Sequence, residues 1–523
     1  MIERYDDLYE GKKICAKMRE RITGAFVLII LIGQPLILDN YYSDILETKY
    51  KFYYISMLSM FILLFLTALY SIKMFGIKSV LRNRNWRFSV ADWSMIVFWV
   101  SALISTVFSD YKYEAFWGNE GHLNGLFLLT IYFVSYFCIS RFWKFKNWYI
   151  TVFIVVGIIV CMFGIGDYLQ LGFLQIEPVR DDASEIFAST LGNINIYTSY
   201  VAMVVAASVV LFLYAKDRKK EFLCYICVAI SIFALITGRS DNGYLALGAL
   251  FGFIPFYAFR TRAGAKKYLV LIATFFTSIQ LIKLANNYIN CAQIDGITNI
   301  IIEFKYLPVL VIGLWGIISV FYFYDLKTGK QKNEILFNLT GLWSIFLITS
   351  ILLIIFILYD CNIAGNMSRY GKIGRYVIFD NDWGNNRGFA WKMCWEIYRG
   401  FPLKKKMFGC GPDTLAILTV QRYLPEMISQ INAIFNTAHN EYLQYLVTNG
   451  FIGMSAYIVF IGSFVINTVK NSSNNPFVMA CVAAVMCYSA QAVVNITVPI
   501  VTPIMFVILA MGVAGKDSSI KTE

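Results

Sequence analysis

Long apolar blocks, each near the length at which a helix crosses hydrocarbon, recur along almost the whole chain. A span needs about 20 apolar residues. Backbone inside lipid must satisfy its own hydrogen bonds, so blocks of this kind fold as helices. The alternating pattern of a membrane β-barrel is absent. Fourteen blocks can be drawn, at about 22–38, 52–72, 90–108, 123–140, 148–168, 195–215, 221–237, 243–259, 267–286, 306–324, 336–359, 441–469, 477–494 and 497–514. The closely spaced last pair could form one re-entrant unit. Composition agrees: the 523 residues are 58% hydrophobic and 15% charged, with a mean hydropathy of +0.60, too little polar surface for a soluble chain of this length. The predicted fold class is all-α, a polytopic transmembrane bundle of about 12–14 spans.

The formal net charge of +12 would suggest nucleic acid in a soluble protein. Here it reads as topology. With the N-terminus in the cytoplasm and spans alternating, the cytoplasmic segments and their edges carry 28 of the 45 Lys+Arg, against seven in the short external segments. Because the positive-inside rule is weighted to short loops, both termini are expected in the cytoplasm. No nucleic-acid partner is called for. Clusters such as KDRKK (216–220) and FRTRAGAKK (259–267) fit retention by anionic lipid and membrane potential. Residues 1–21 are polar and basic and lack the pattern of a cleavable signal, so the first block is expected to stay as a signal anchor. The eleven cysteines lie mostly in apolar blocks, as small hydrophobes. Cys224 and Cys227 form a C-x-x-C at the start of a span without a second ligand pair, which argues against metal.

One loop breaks the charge pattern. It divides the chain into an N-terminal bundle (1–360), a large external loop (361–438) and C-terminal helices (439–523). The loop holds ten Lys/Arg against five acidic residues, Asp380, Asp382, Glu396, Asp413 and Glu426. Loops this long are usually functional or disordered. Its aromatic content and a helix-like stretch from Arg387 to Arg399 argue for order. A basic, aromatic loop beside the outer leaflet suits an anionic, partly apolar ligand at the membrane surface. No internal repeat is evident, and this asymmetry counts against a transporter built of two similar halves.

The chain has only two histidines, His122 in SDYKYEAFWGNEGHLNG (109–125) and His439 in NTAHNEYLQYLVTNGFIG (436–453). A lone histidine at a membrane interface is usually an amphipathic hydrogen-bonder. His439 has more in its favour. With Asn436 or Thr437 as N-cap it falls in the first turn of the twelfth span. The positive helix end there keeps imidazole neutral, which suits a general base. On a continuous helix His439, Leu443, Leu446, Gly450 and Gly453 share one face, and the glycines permit close helix approach. His122 is expected to line the outer vestibule without acting chemically.

His439-Asn440, nine residues, Gly450, two residues, Gly453 resembles the H-N-x9-G-x-x-G signature of the O-antigen ligase and O-antigen polymerase superfamily. TLGNINIYTSY (190–200) resembles its G-N-x-N segment, and TGRSDNG (237–243) its T-G-S-R-G turn, with the arginine one position early. NNRGFAWKMCWEIYRGFPLKKKMFGCGPDTL (385–415) resembles its R…W…P-L…G-x-G-P loop. The resemblance runs from about residue 100 to 460.

It implies a metal-independent, cofactor-free, inverting glycosyltransferase in a bacterial cytoplasmic membrane, with its active site outside the cytoplasm. The donor would be a polyprenyl-diphosphate-linked glycan, the acceptor a hydroxyl on glycan, lipid or protein, and membrane lipids the surroundings. It implies His439 as general base and Arg387 and Arg239 as holders of the diphosphate. Asn440, Asn193, His122, Trp391, Lys404, Lys405 and Arg422 are further residues expected to bind substrate. Arg180, Arg369, Arg375, Arg399 and Arg422 are reserve candidates whose simpler reading is a solvated surface charge. Paired R-x10-G motifs of some polymerases are not found around Arg180, Arg239 or Arg387, which favours a ligase. The rival reading is a lipid-linked oligosaccharide flippase or polysaccharide exporter.

Overall fold

A computed structural model describes residues 2–39, 44–78, 87–172, 187–294, 296–328 and 338–519. Each of the fourteen apolar blocks falls on helix. In chain order these are α1 (Ile2–Leu36), α2 (Ile45–Phe75), α3 (Val90–Val107), α4 (Leu126–Phe142), α5 (Trp148–Tyr168), α6 (Ile194–Tyr214), α7 (Arg218–Thr237), α8 (Asn242–Phe253, continued by Pro255–Ala258), α9 (Arg262–Tyr288), α10 (Leu307–Thr328), α11 (Leu339–Asn362), α12 (Gly450–Ser472), α13 (Pro476–Gln491) and α14 (Thr502–Ser519). Among the described residues ten helices are long and apolar enough to cross a membrane, and α4, α8 and α14 are shorter apolar helices. α1 begins at Ile2, so the polar stretch before the first block is helical too. The one sheet among the described residues is a two-residue antiparallel pair, Phe187–Ala188 with Gly192–Asn193, at the start of α6.

The bundle is built around α6, whose run of Val, Ala and Ser is buried on nearly every side. α7 and α13 pack against it, and α8 lies against α13. α10 and α11, by contrast, expose apolar side chains all round, as helices facing lipid do. Polar residues mark the helix ends. Ser89 and Asp92 form a reciprocal capping box on α3, Asp217 accepts from the Lys220 N–H on α7, and Thr261 accepts from the Gly264 N–H on α9. A buried charge within the bundle is paired: Arg141 meets Asp92 at 2.6 Å, and the Tyr136 hydroxyl donates to the same carboxylate.

The twelfth block is not one helix. Glu441–Thr448 ends at Asn449, and α12 starts at Gly450, whose φ of +73° is left-handed and suits glycine. The break leaves carbonyls without intrahelical donors, and neighbours supply them. The Cys410 and Gly411 N–H groups donate to Val447 and Thr448, while the Ser105 and Ser101 hydroxyls of α3 donate to Thr448 and Asn449. The expected single face from His439 to Gly453 is therefore interrupted. Gly453 does admit α3, close to Ser101, but Gly450 admits the backbone at Met407 in the long loop.

The long loop is ordered as expected. The helices Trp383–Arg399 and Leu415–Ile431 close a small apolar core of their own around Phe389, Met393, Ile397, Leu415 and Met427, while Leu403–Phe408 lies against α12. Gly384, Asn385 and Asn386 have positive φ, so regular helix begins near Arg387. Ser109 donates to the Cys410 carbonyl, which anchors the loop to the chain after α3.

Candidate active site

The two histidines, over 300 positions apart in sequence, line one pocket. Its walls come from the His122 loop, Pro412 and Asp413 of the long loop, residues 437–449, and Asn495–Thr497 between α13 and α14. The pieces are tied together by backbone. The Asp413 carboxylate accepts from the N–H groups of Asn119 (2.7 Å) and Asn124 (3.0 Å), and the Asn124 side chain donates to the Thr497 carbonyl.

His439 does not lie in the first turn of a helix, as the sequence suggested. Asn440 is the N-cap, its side chain accepting from the Leu443 N–H at 3.0 Å, which places His439 one residue outside. Ala438 is fixed by a hydrogen bond to Gln444 Oε1, so His439 is held between two anchors in the left-handed conformation, φ +45°. A non-glycine residue held there is strained, and such strain clusters at functional sites. The ring stands edge-on to Phe435. Burial is the main cause lowering the imidazole pKa to about 4, and Arg387 and His122 push the same way. His439 is thus neutral at physiological pH for a different reason than expected: desolvation and a neighbouring guanidinium. His122 is more enclosed than a vestibule residue, 6% exposed, and burial lowers its pKa to about 4.

Arg387 is largely buried. One guanidinium nitrogen donates to the Gly384 carbonyl at 2.8 Å, and Nε has no partner among the described residues. Burial lowers its pKa, and the Asp241 charge opposes that. Asp241 itself accepts from the Ile297 N–H (2.9 Å) and the Tyr376 hydroxyl (3.2 Å). The turn after α7 is thereby joined to the long loop, with Asp241, Arg387 and His439 in electrostatic contact in that order. Arg239 sits in the same turn, also left-handed (φ +56°), within electrostatic reach of Asp167 at the end of α5.

The other expected residues divide. Asn193 caps α6 by accepting from the Asn195 N–H. Its neighbour Asn195 does the joining: its side chain accepts from Ser240 and Asn242, and its carbonyl accepts from Asn495 in the pocket wall. Trp391 packs on Trp383, with its indole N–H buried and unpaired among the described residues. Lys404 lies over the Phe108 ring and Lys405 pairs with Asp110, so both clamp the loop to the end of α3 and neither lines the pocket. Arg422 and Arg399 are exposed, and Arg369 pairs with Asp360 at the loop's start. Arg180 and the side chain of Arg375 lie outside the described residues.

Sequence reasoning missed Glu441, Asn495 and Thr497. Glu441 is buried beside the pocket and accepts from the Tyr457 and Tyr488 hydroxyls. Its signal was present, a carboxylate two residues from His439 at the head of an apolar helix. Asp413, counted only as a loop charge, is fully enclosed, and burial raises its pKa to about 7 against the pull of the two backbone N–H groups. Among the described residues no three His, Cys, Asp or Glu side chains gather as a metal site.

Residues 226–458 match the family model described as O-antigen ligase. Over these residues the chain carries an O-antigen ligase domain, which supports a place in the O-antigen ligase superfamily. The matched region holds the Arg239 turn, the whole long loop and His439, whereas His122, Asn195 and Asn495 reach the site from outside it. No curated protein matches the chain. The match supports a coarse activity, membrane glycan transfer of the O-antigen ligase kind. The pocket also presents buried polar atoms without partners among the described residues: His122 Nδ1, Asn124 Oδ1, Thr437 Oγ1, Asn449 Nδ2 and Thr497 Oγ1. Unpaired buried groups are costly and call for a polar occupant or water.

Proposed function

We propose that this O-antigen ligase-family protein transfers glycan from a polyprenyl-diphosphate carrier to an acceptor hydroxyl in the His439 pocket, on the extracytoplasmic face of a bacterial cytoplasmic membrane. The observation that carries the reading is the neutral, strained His439 in electrostatic contact with the largely buried Arg387. His439 takes the acceptor proton as the acceptor oxygen attacks the anomeric carbon. The bond from that carbon to the diphosphate oxygen breaks, with inversion, and polyprenyl diphosphate leaves. Arg387, whose Nε–H has no partner among the described residues, and Arg239 in the adjoining turn meet the growing negative charge. Guanidinium groups in a water-poor site supply the stabilisation a metal would otherwise give. The unpaired polar atoms around His122 and Thr497 bind sugar hydroxyls.

A translocating protein would need its ionisable groups along a passage at mid-depth. Here the two histidines, Asp413 and Glu441 gather under the long loop instead. The test is to supply purified protein in liposomes with a labelled polyprenyl-diphosphate glycan and acceptor, in the presence of a metal chelator. Polyprenyl diphosphate released in step with glycosylated acceptor supports transfer. Movement of intact lipid-linked glycan without release would refute it.

A further inference from the structure

The basic clusters 216–220 and 259–267, separate in sequence, converge on a cavity of about 1020 Å³ at the end of the bundle away from His439. α6 begins beside the Asn195–Asn495 contact and runs 21 residues, about 30 Å, before reaching it. The cavity lies between the far end of α6, the first turns of α7 and α9, and the last turns of α10. Its lining carries four cations, Lys216, Arg218, Lys266 and Lys267, and two carboxylates, Glu221 and Asp325.

The carboxylates are already matched. Glu221 pairs with Lys267 at 3.5 Å, and Lys267 also donates to the carbonyls of Phe212 and Ala215 that end α6. Asp325 pairs with Lys266, with Arg262 at 3.3 Å adding a second cation. Lys216 and Arg218 have no acidic partner among the described residues, which leaves a net charge of two positive on the lining (four cations less two carboxylates). The N-terminal end of α9, a helix of 27 residues capped by the uncharged Thr261, opens here and adds positive potential, whereas that of α7 is offset by its Asp217 cap. The remaining walls are apolar and aromatic, including Phe222, Trp315 and Tyr322, and they continue into lipid-facing surface at Leu223, Val320 and Phe323.

We infer that this cavity binds one anionic glycerophospholipid from the leaflet on that side. Its phosphate is held by Lys216 and Arg218 at the α7 end, and its acyl chains lie along α10. A free anion has no use for the aromatic walls, and a zwitterionic lipid brings its own cation against Lys216 and Arg218. General attraction of basic loops to a negative surface would not distinguish Lys216 and Arg218 from Lys219 and Lys220, which belong to the same cluster but do not line the cavity.

Native mass spectrometry of the purified full chain tests this with added phosphatidylglycerol, phosphatidylcholine or inorganic phosphate. The wild type is expected to retain one phosphatidylglycerol, and neither phosphatidylcholine nor millimolar phosphate should displace it. The double variant Lys216→Gln/Arg218→Gln should bind about thirtyfold more weakly, from about fivefold per cation. Lys219→Gln/Lys220→Gln should bind as the wild type does. Equal losses in the two double variants would reduce the site to diffuse surface charge. Equal retention of phosphatidylcholine, or displacement by phosphate, would overturn the lipid assignment on the wild type alone.

Discussion

The acid limb of the transfer reaction should lie far below that of an ordinary histidine. Burial, Arg387 and His122 together hold the His439 pKa at about 4 instead of 6.5. At pH 5.5 an ordinary imidazole is about 90% protonated and useless as a base, whereas one with a pKa of about 4 is about 3% protonated. The wild type should therefore keep nearly its full kcat/KM at pH 5.5 and lose it only as the pH approaches 4. Arg387→Gln removes one of the positive neighbours, so the His439 pKa should rise. It should stay below 6.5, because burial is the largest cause. Since Arg387 is also proposed to hold the leaving group, the shift is best read directly. With only two histidines in the chain, carbon-13-labelled imidazole resonances can be assigned by comparison with His122→Gln. A wild-type His439 titrating near 6.5, or one unmoved by Arg387→Gln, would refute the electrostatic account of the base.

Other consequences follow from the same contacts. Both histidines have folded pKa values below their unfolded value, so the stability from keeping them neutral is present above pH 6.5 and is lost as pH falls toward 4. For His122 this is roughly 3 kcal/mol, and His122→Gln should flatten acid unfolding followed by tryptophan fluorescence. Gly450→Ala places a Cβ against the Met407 carbonyl in a left-handed backbone and should destabilise the chain by roughly 2–4 kcal/mol, seen as a lowered melting temperature in detergent. Tyr376→Phe removes the hydroxyl that joins the long loop to Asp241. It should raise the donor KM about fivefold, the worth of one hydrogen bond of about 1 kcal/mol, with kcat little changed. Lys404→Gln and Lys405→Gln act outside the pocket, so turnover should stay within about twofold of wild type in the same assay.

The positions of the helices were legible because lipid imposes a simple rule on composition: an apolar run of the right length must be helical. The order of the long loop could also be read, since its Trp, Phe and Met residues needed a core and found one around Phe389 and Leu415. The break at Asn449–Gly450 was not legible. The apolar pattern continues through it, and only the donors at Cys410, Gly411, Ser101 and Ser105 make it tolerable. His439 was placed in a helical turn because Asn436, Thr437 and Asn440 are all competent caps, and local sequence does not choose among them. The hydrogen bond from Ala438 to Gln444 favours Asn440. The meeting of His122 with His439 depends on Asp413 accepting from backbone nearly 300 residues away, which no local pattern announces. The contacts of Lys404 and Lys405, expected to bind substrate, were hidden for the same reason: their partners, Phe108 and Asp110, are distant in sequence.

The central claim is that glycan leaves its lipid diphosphate at the His439–Arg387 pair. The most direct measurement is turnover of a labelled polyprenyl-diphosphate glycan by purified His439→Gln and Arg387→Gln in liposomes, with Arg422→Gln as an exposed-charge control. Loss of general-base action costs about a hundredfold or more, and loss of a fixed group on the leaving charge costs a similar factor. Both site variants should fall by at least that much while melting like the wild type, and Arg422→Gln should turn over normally. Near-normal release of polyprenyl diphosphate by either site variant would contradict the account.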